Sequence, residues 1–132
     1  MDNLNRENVN ERDEIIFGEP YIKEKYMGGV RHFEKLGLDD LSKLFERNFI
    51  DPEDAQNESP TAKEMCEFMQ RHPSFTCHGY AVSPDRNDYR VTIEGVERNG
   101  AVTMEMFVDF VSLFRYADEF EASQNGLYCW YD

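Results

Sequence analysis

The chain has 132 residues, a length suited to one domain with one sizeable core. Its 14 Lys and Arg stand against 27 Asp and Glu, for a net charge of −13, and 40% of its residues are hydrophobic. That apolar content excludes wholesale disorder. The negative charge disfavours direct binding to nucleic acid or anionic membranes, both of which depend on Lys and Arg.

Residues 1–14 are almost entirely polar and follow neither helical nor strand periodicity, which predicts a disordered polar tail ahead of a single α+β domain at 15–132. Ile15, Ile16 and Phe17 are suited to anchoring the chain to the core. Gly18, Pro20 and the Gly28-Gly29 pair then interrupt any long element. Tyr21, Ile22, Tyr26 and Met27 recur at helical spacing and allow one short helix.

From Leu38 the pattern sharpens. Asp39 is a candidate N-cap, and Leu41, Leu44, Phe45 and Phe49 share one helical face. The helix should stop before Asp51-Pro52, because a residue preceding proline disfavours the α region. After an acidic connector at 51–58, Ser59-Pro60 reads as an N-cap with proline at the first helical position. Ala62, Met65, Cys66 and Met69 then form an apolar stripe that ends near His72-Pro73.

The period next changes from 3.6 to 2. Phe75 to Val82 and Tyr89 to Val96 read as two strands, joined through the turn formers Ser83 to Asp88. Thr103 is a candidate N-cap for a helix from Met104 to Ala117, with Met106, Phe107, Phe110, Val111, Leu113 and Phe114 on its apolar face. Asp118 to Ser123 and Leu127 to Tyr131 read as strands joined by Gln124-Asn125-Gly126, in which Asn-Gly is a strong hairpin signal. The expected fold is therefore α+β: a four-stranded, mostly antiparallel sheet from a C-terminal β-β-α-β-β unit, packed against helices and preceded by two N-terminal helices.

Cys66, Cys77 and Cys129 are odd in number and suggest no disulfide framework. The first residues lack the apolar core of a secretory signal, and no stretch approaches the ~18 apolar residues of a membrane span. A reducing cytoplasm is the expected compartment.

Neighbouring Cys77 and His78 suggest a nucleophile and its base, but successive side chains on a strand point to opposite faces. Cys66, His72, Cys77 and His78 lack the tight pair spacing of a zinc site. Asp51, Glu53, Asp54 and Glu58 superficially resemble a calcium loop, yet Pro52 and the missing glycine break that pattern. The connector between the two N-terminal helices is too long and too acidic for a DNA-reading helix-turn-helix. Gly28-Gly29 lacks the downstream Gly-Lys-Ser/Thr of a phosphate loop. Glu119 and Glu121 share a strand face, where exposure would not separate their pKa values for acid–base work. No catalytic residue, metal or cofactor is expected, and Cys, His and carboxylate side chains are not expected to converge in a pocket.

In size, acidity and aromatic content the chain resembles inhibitor-like proteins, immunity proteins and phage-type DNA mimics among them. That resemblance is compositional and carries over no residues. It implies a non-enzymatic protein-interaction module that takes a basic partner. The expected contact residues are Asp51, Glu53, Asp54 and Glu58 in the connector, Asp118, Glu119 and Glu121 in the penultimate strand, and Tyr128 and Trp130 in the last strand. Carboxylates would steer encounter, and a desolvated ring would hold the complex. The alternatives are a small enzyme with a Cys/His site and a structural domain that homodimerises through its C-terminal edge strand.

Overall fold

A computed structural model describes residues 4–56 and 58–132. In chain order the elements are α1 (Val9–Phe17), a short 3-10 turn (Lys23–Lys25), β1 (Val30–Leu36), α2 (Leu38–Glu46), α3 (Ala62–Arg71), β2 (Thr76–Val82), β3 (Val91–Asn99), α4 (Met104–Phe114), β4 (Glu119–Ser123) and β5 (Gly126–Trp130). The strands form one antiparallel sheet in the order β1-β2-β3-β5-β4.

The fold is α+β as expected, but the sheet has five strands. The extra strand is β1, so the segment before the β-β-α-β-β unit reads helix, strand, helix, helix. β1 hides from a period-2 reading because a register shift separates Phe33 from Leu36, with Lys35 at φ 56 between them. Two inward residues thus stand three apart.

Part of the expected tail also changes. Residues 1–3 lie outside the described residues, but the chain is helical from Val9, and Arg12 and Asp13 are 0% exposed. The Arg12 guanidinium donates to Asp13 Oδ1 at 2.9 Å, to the Val82 carbonyl at 2.9 Å and to the Tyr26 hydroxyl at 2.9 Å. It also lies 4.7 Å from the centroid of the Tyr89 ring, and the Tyr26 hydroxyl donates to the second oxygen of Asp13. A charged pair at the core boundary with its polar atoms matched in this way is held by geometry. Gly18 closes α1 in the left-handed conformation, φ 77, returning its N–H to Glu14.

α2 begins after Gly37, two residues before the expected Asp39 cap, which leaves Asp39 and Asp40 in the first turn where the helix dipole favours carboxylates. α3 is capped by Thr61 rather than Ser59. Thr61 and Glu64 form a reciprocal capping box, while the Ser59 hydroxyl donates to the Pro60 carbonyl. α4 has the expected Thr103 cap, which accepts from the Met106 N–H, but it ends at Phe114.

One face of the sheet carries Phe33, Leu36, Cys77, Ala81, Val91, Ile93, Val96, Leu127, Cys129 and Tyr131 into a cluster with Leu41, Leu44, Met65, Phe68, Met69, Phe110 and Phe114 from the helices. Phe68 packs edge-on to Phe75 and Phe114 with centroids 4.8 and 5.1 Å apart. His72, at the end of α3, bonds Asp109 of α4 at 2.7 Å and ties these helices together. Among the described residues no helix is long and apolar enough to cross a membrane.

Candidate binding face on the open side of the sheet

Directly paired residues share a face, so the register identifies what lies opposite the core. One row runs His32–Tyr80–Thr92, and another runs Thr76–Glu97–Tyr128–Glu121. His78 lies between them in sequence, paired with Gly95, while Trp130 stands beside Glu119. His32, Glu34, His78, Glu94, Glu97, Tyr128 and Trp130 line a shallow cavity of about 300 Å³ on this face.

A local irregularity in β3 makes the cavity. The register slips between His78 and Gly79, where Gly79 faces Ile93 and His78 faces Gly95, leaving Glu94 as the extra residue. Gly95 lets the strands and the His78 ring approach: a Cβ there would collide with the Cys129 carbonyl and lie 2.8 Å from His78 Nε2. His78 Nε2 is 2.9 Å from the Cys129 carbonyl, so it donates, and Nδ1 is left as an acceptor in the neutral ring. The imidazole stacks on Tyr128 with centroids 5.1 Å apart and planes 12° apart. Burial holds His78 below the usual histidine range, against the opposing pull of the Cys129 carbonyl and Glu97.

Glu94 is 8% exposed. Burial raises its carboxyl above the usual range; a hydrogen bond from Trp130 and the neighbouring His32 pull it back, and Asp132 pushes it up. The Glu94 carbonyl accepts the Tyr131 N–H at 2.8 Å, which joins the bulge to the C-terminal segment. Glu97 Oε2 is taken by Lys35 Nζ at 3.0 Å and by Asn99 Nδ2 at 3.3 Å. Its Oε1 faces His78 Nδ1 across 3.8 Å. Burial raises the Tyr128 hydroxyl, and the adjoining carboxylates of Glu119, Glu97 and Glu121 add to the shift.

The expected contact residues divide. Tyr128 and Trp130 line this cavity, and Glu119 and Glu121 flank it on β4. Asp118 belongs to the frame, since its Oδ2 accepts the Asp132 N–H at 2.7 Å. Asp51 and Asp54 line a different depression of about 450 Å³ with Pro52, Asp88, Tyr89 and Arg90. Burial raises the Asp54 carboxyl there while Arg90 lowers it. Glu53 and Glu58 are exposed and line neither cavity; Asn57 of the same connector lies outside the described residues. The connector meets the open face through Gln56, which accepts from the Tyr80 hydroxyl at 2.9 Å.

Two expectations are corrected by this geometry. Histidines and carboxylates do converge in a concave site, because the slip in β3 resets the alternation so that Glu97 joins Thr92 and Glu94 on the face that carries His78. The C-terminal strand β5 is not an edge: it lies between β3 and β4, and β4 is the edge. The Cys77 thiol lies on the core face, fully buried and pushed far up by burial, while His78 points to the other side. Cys129 is likewise buried, with its thiol pushed up to about 12. Among the described residues no three His, Cys, Asp or Glu side chains gather with metal-ligand geometry.

Sequence reading weighed His78 only with Cys77 or as a zinc ligand, and it did not place His32, Glu94 and Glu97 in a site. Their signal was present in the polar face of the strand at 89–96 and in glycines placed inside two strands. No family model, curated protein or solved structure matches the chain.

Proposed function

We propose that this protein is a non-enzymatic binding module that takes a basic surface of another protein, in the manner of an inhibitor or immunity-type protein, on the open face of its sheet. The observation that carries this reading is Glu94, a buried carboxylate held beside Trp130 and Tyr128 on a face without helical cover. Burial still raises this carboxyl against the Trp130 hydrogen bond and the neighbouring His32, and such costs concentrate where a ligand supplies opposite charge. Glu34, Glu97, Glu119 and Glu121 extend the negative field around it. Long-range attraction would speed encounter with a basic partner, and the rings would supply the desolvated anchor.

The test is the affinity of a lysine- and arginine-rich peptide, measured by fluorescence anisotropy over a salt series. Affinity should fall steeply as salt rises. The charge reversals Glu119→Lys and Glu121→Lys should weaken it further, while Glu53→Lys and Glu58→Lys leave it nearly unchanged. Equal loss from both pairs would place binding in the overall charge rather than on this face.

A further inference from the structure

We propose that the cavity between His78, Glu94, Glu97, Tyr128 and Trp130 is a pocket for a single arginine side chain of the partner. This rests on the reading of the open face as the binding surface and adds which chemical group the face selects.

The first observation is an orphaned acceptor. His78 is 6% exposed, and its Nδ1 has no hydrogen-bond partner although its ring is fixed by the bond from Nε2 to Cys129. A buried ring nitrogen in that state has given up its water without gaining a partner. The second observation is its neighbour. Glu97 Oε1 stands 3.8 Å away, while Lys35 and Asn99 hold the other oxygen and so fix the carboxylate. Two acceptors side by side call for a ligand that only donates. Glu94 adds a third acceptor from the bulge.

Donors in proteins that carry no acceptor are Arg, Lys and the indole of Trp. The planar guanidinium fork can address two adjacent acceptors at once and stack on an aromatic plane, whereas an ammonium is a strongly hydrated point charge. Trp130 and Tyr128 line the cavity wall, with the His78 ring stacked on Tyr128. At about 300 Å³ the cavity is at the small end for ligand sites, which suits a side chain better than a free cofactor.

The experiment uses the intact protein and three capped peptides of one sequence, with arginine, lysine or citrulline at the central position. Citrulline keeps the shape of arginine without its charge. Binding is followed by NMR at the Trp130 indole N–H and the His78 ring. The arginine peptide should shift both signals saturably, the lysine peptide should bind about tenfold more weakly, and citrulline should leave them in place. Glu97→Gln should weaken arginine binding about tenfold, the loss of one charge-assisted hydrogen bond, while Glu53→Gln changes nothing. Equal shifts from arginine and citrulline, or unmoved signals at saturating peptide, would overturn the pocket. If the signals stay unmoved while the basic peptide still binds this face in a salt-dependent way, the pocket falls and the binding face stands. If the basic peptide binds elsewhere, both fall.

Discussion

Glu94 is the residue at which stability and the proposed binding meet. Its folded-state carboxyl is raised by burial, so folding binds a proton more tightly than the unfolded chain does. Stability from this group is therefore fully present below the ordinary carboxylate pKa and declines as pH rises through the higher folded value. Glu94→Gln removes the charge and keeps an acceptor for Trp130. Thermal unfolding should show the variant a few degrees more stable at pH 7 and equal to the parent near pH 4, with weaker binding of basic peptide. A variant less stable at pH 7 would mean that the carboxylate is already satisfied within the fold.

Gly95 makes the complementary case. Any Cβ there meets the backbone of β5, which cannot yield as a flexible side chain can. Gly95→Ala should cost about 1–3 kcal/mol in chemical unfolding, a typical overpacking penalty. It should also move the His78 ring signals, because the added carbon reaches Nε2. Gly37 has open space around its Cα, so Gly37→Ala is the control expected to leave the His78 signals in place.

At the scale of elements, α2, α3, α4 and the two hairpins were legible because each satisfies a local rule. Leu41 and Leu44 share a helical face, Thr103 caps its helix, and the last hairpin closes through Gln124-Asn125, one residue before the expected Asn-Gly, with Gly126 already paired to Ser123. The elements missed were those whose logic is tertiary. α1 reads as a tail because its buried residues are Arg12 and Asp13, whose partners Tyr26, Val82 and Tyr89 lie far along the chain. β1 was hidden by a bulge, as the cavity was by the slip at Glu94, and neither leaves a period-2 trace. Tyr128, Trp130, Glu119 and Glu121 were readable as a strand-borne face, but which side of the sheet the helices cover is set by packing. The internal ion pair allows a direct test of α1. Arg12→Met leaves Asp13 buried and uncompensated and should cost about 3–5 kcal/mol in urea unfolding, with the double variant Arg12→Met/Asp13→Leu recovering most of the loss. A loss under about 1 kcal/mol for the single variant would mean that α1 does not dock as described.

For the whole molecule, charge and topology act together. The helices gather on one side, so the sheet presents a broad polar face on the other, within a chain of net charge −13. Self-repulsion at that charge is relieved by screening, so added salt should raise the melting temperature of the free protein while lowering its affinity for a basic partner. These opposite responses separate the intrinsic charge burden from its use in binding. The edge strand β4 carries Glu119 and Glu121, and antiparallel pairing with a second copy would set carboxylates against each other. Away from the open face, α4 exposes Met104 (75%), Phe107 (39%) and Val108 (52%), an apolar alternative for a contact.

Hydrogen–deuterium exchange of the whole chain, with and without a saturating basic peptide, tests the central claim most directly. The account predicts slowed exchange in β2, β3 and β5 around His78, Glu94, Glu97 and Tyr128, with α4 unchanged. Protection confined to Met104–Phe114, with those strands exchanging as before, would contradict it.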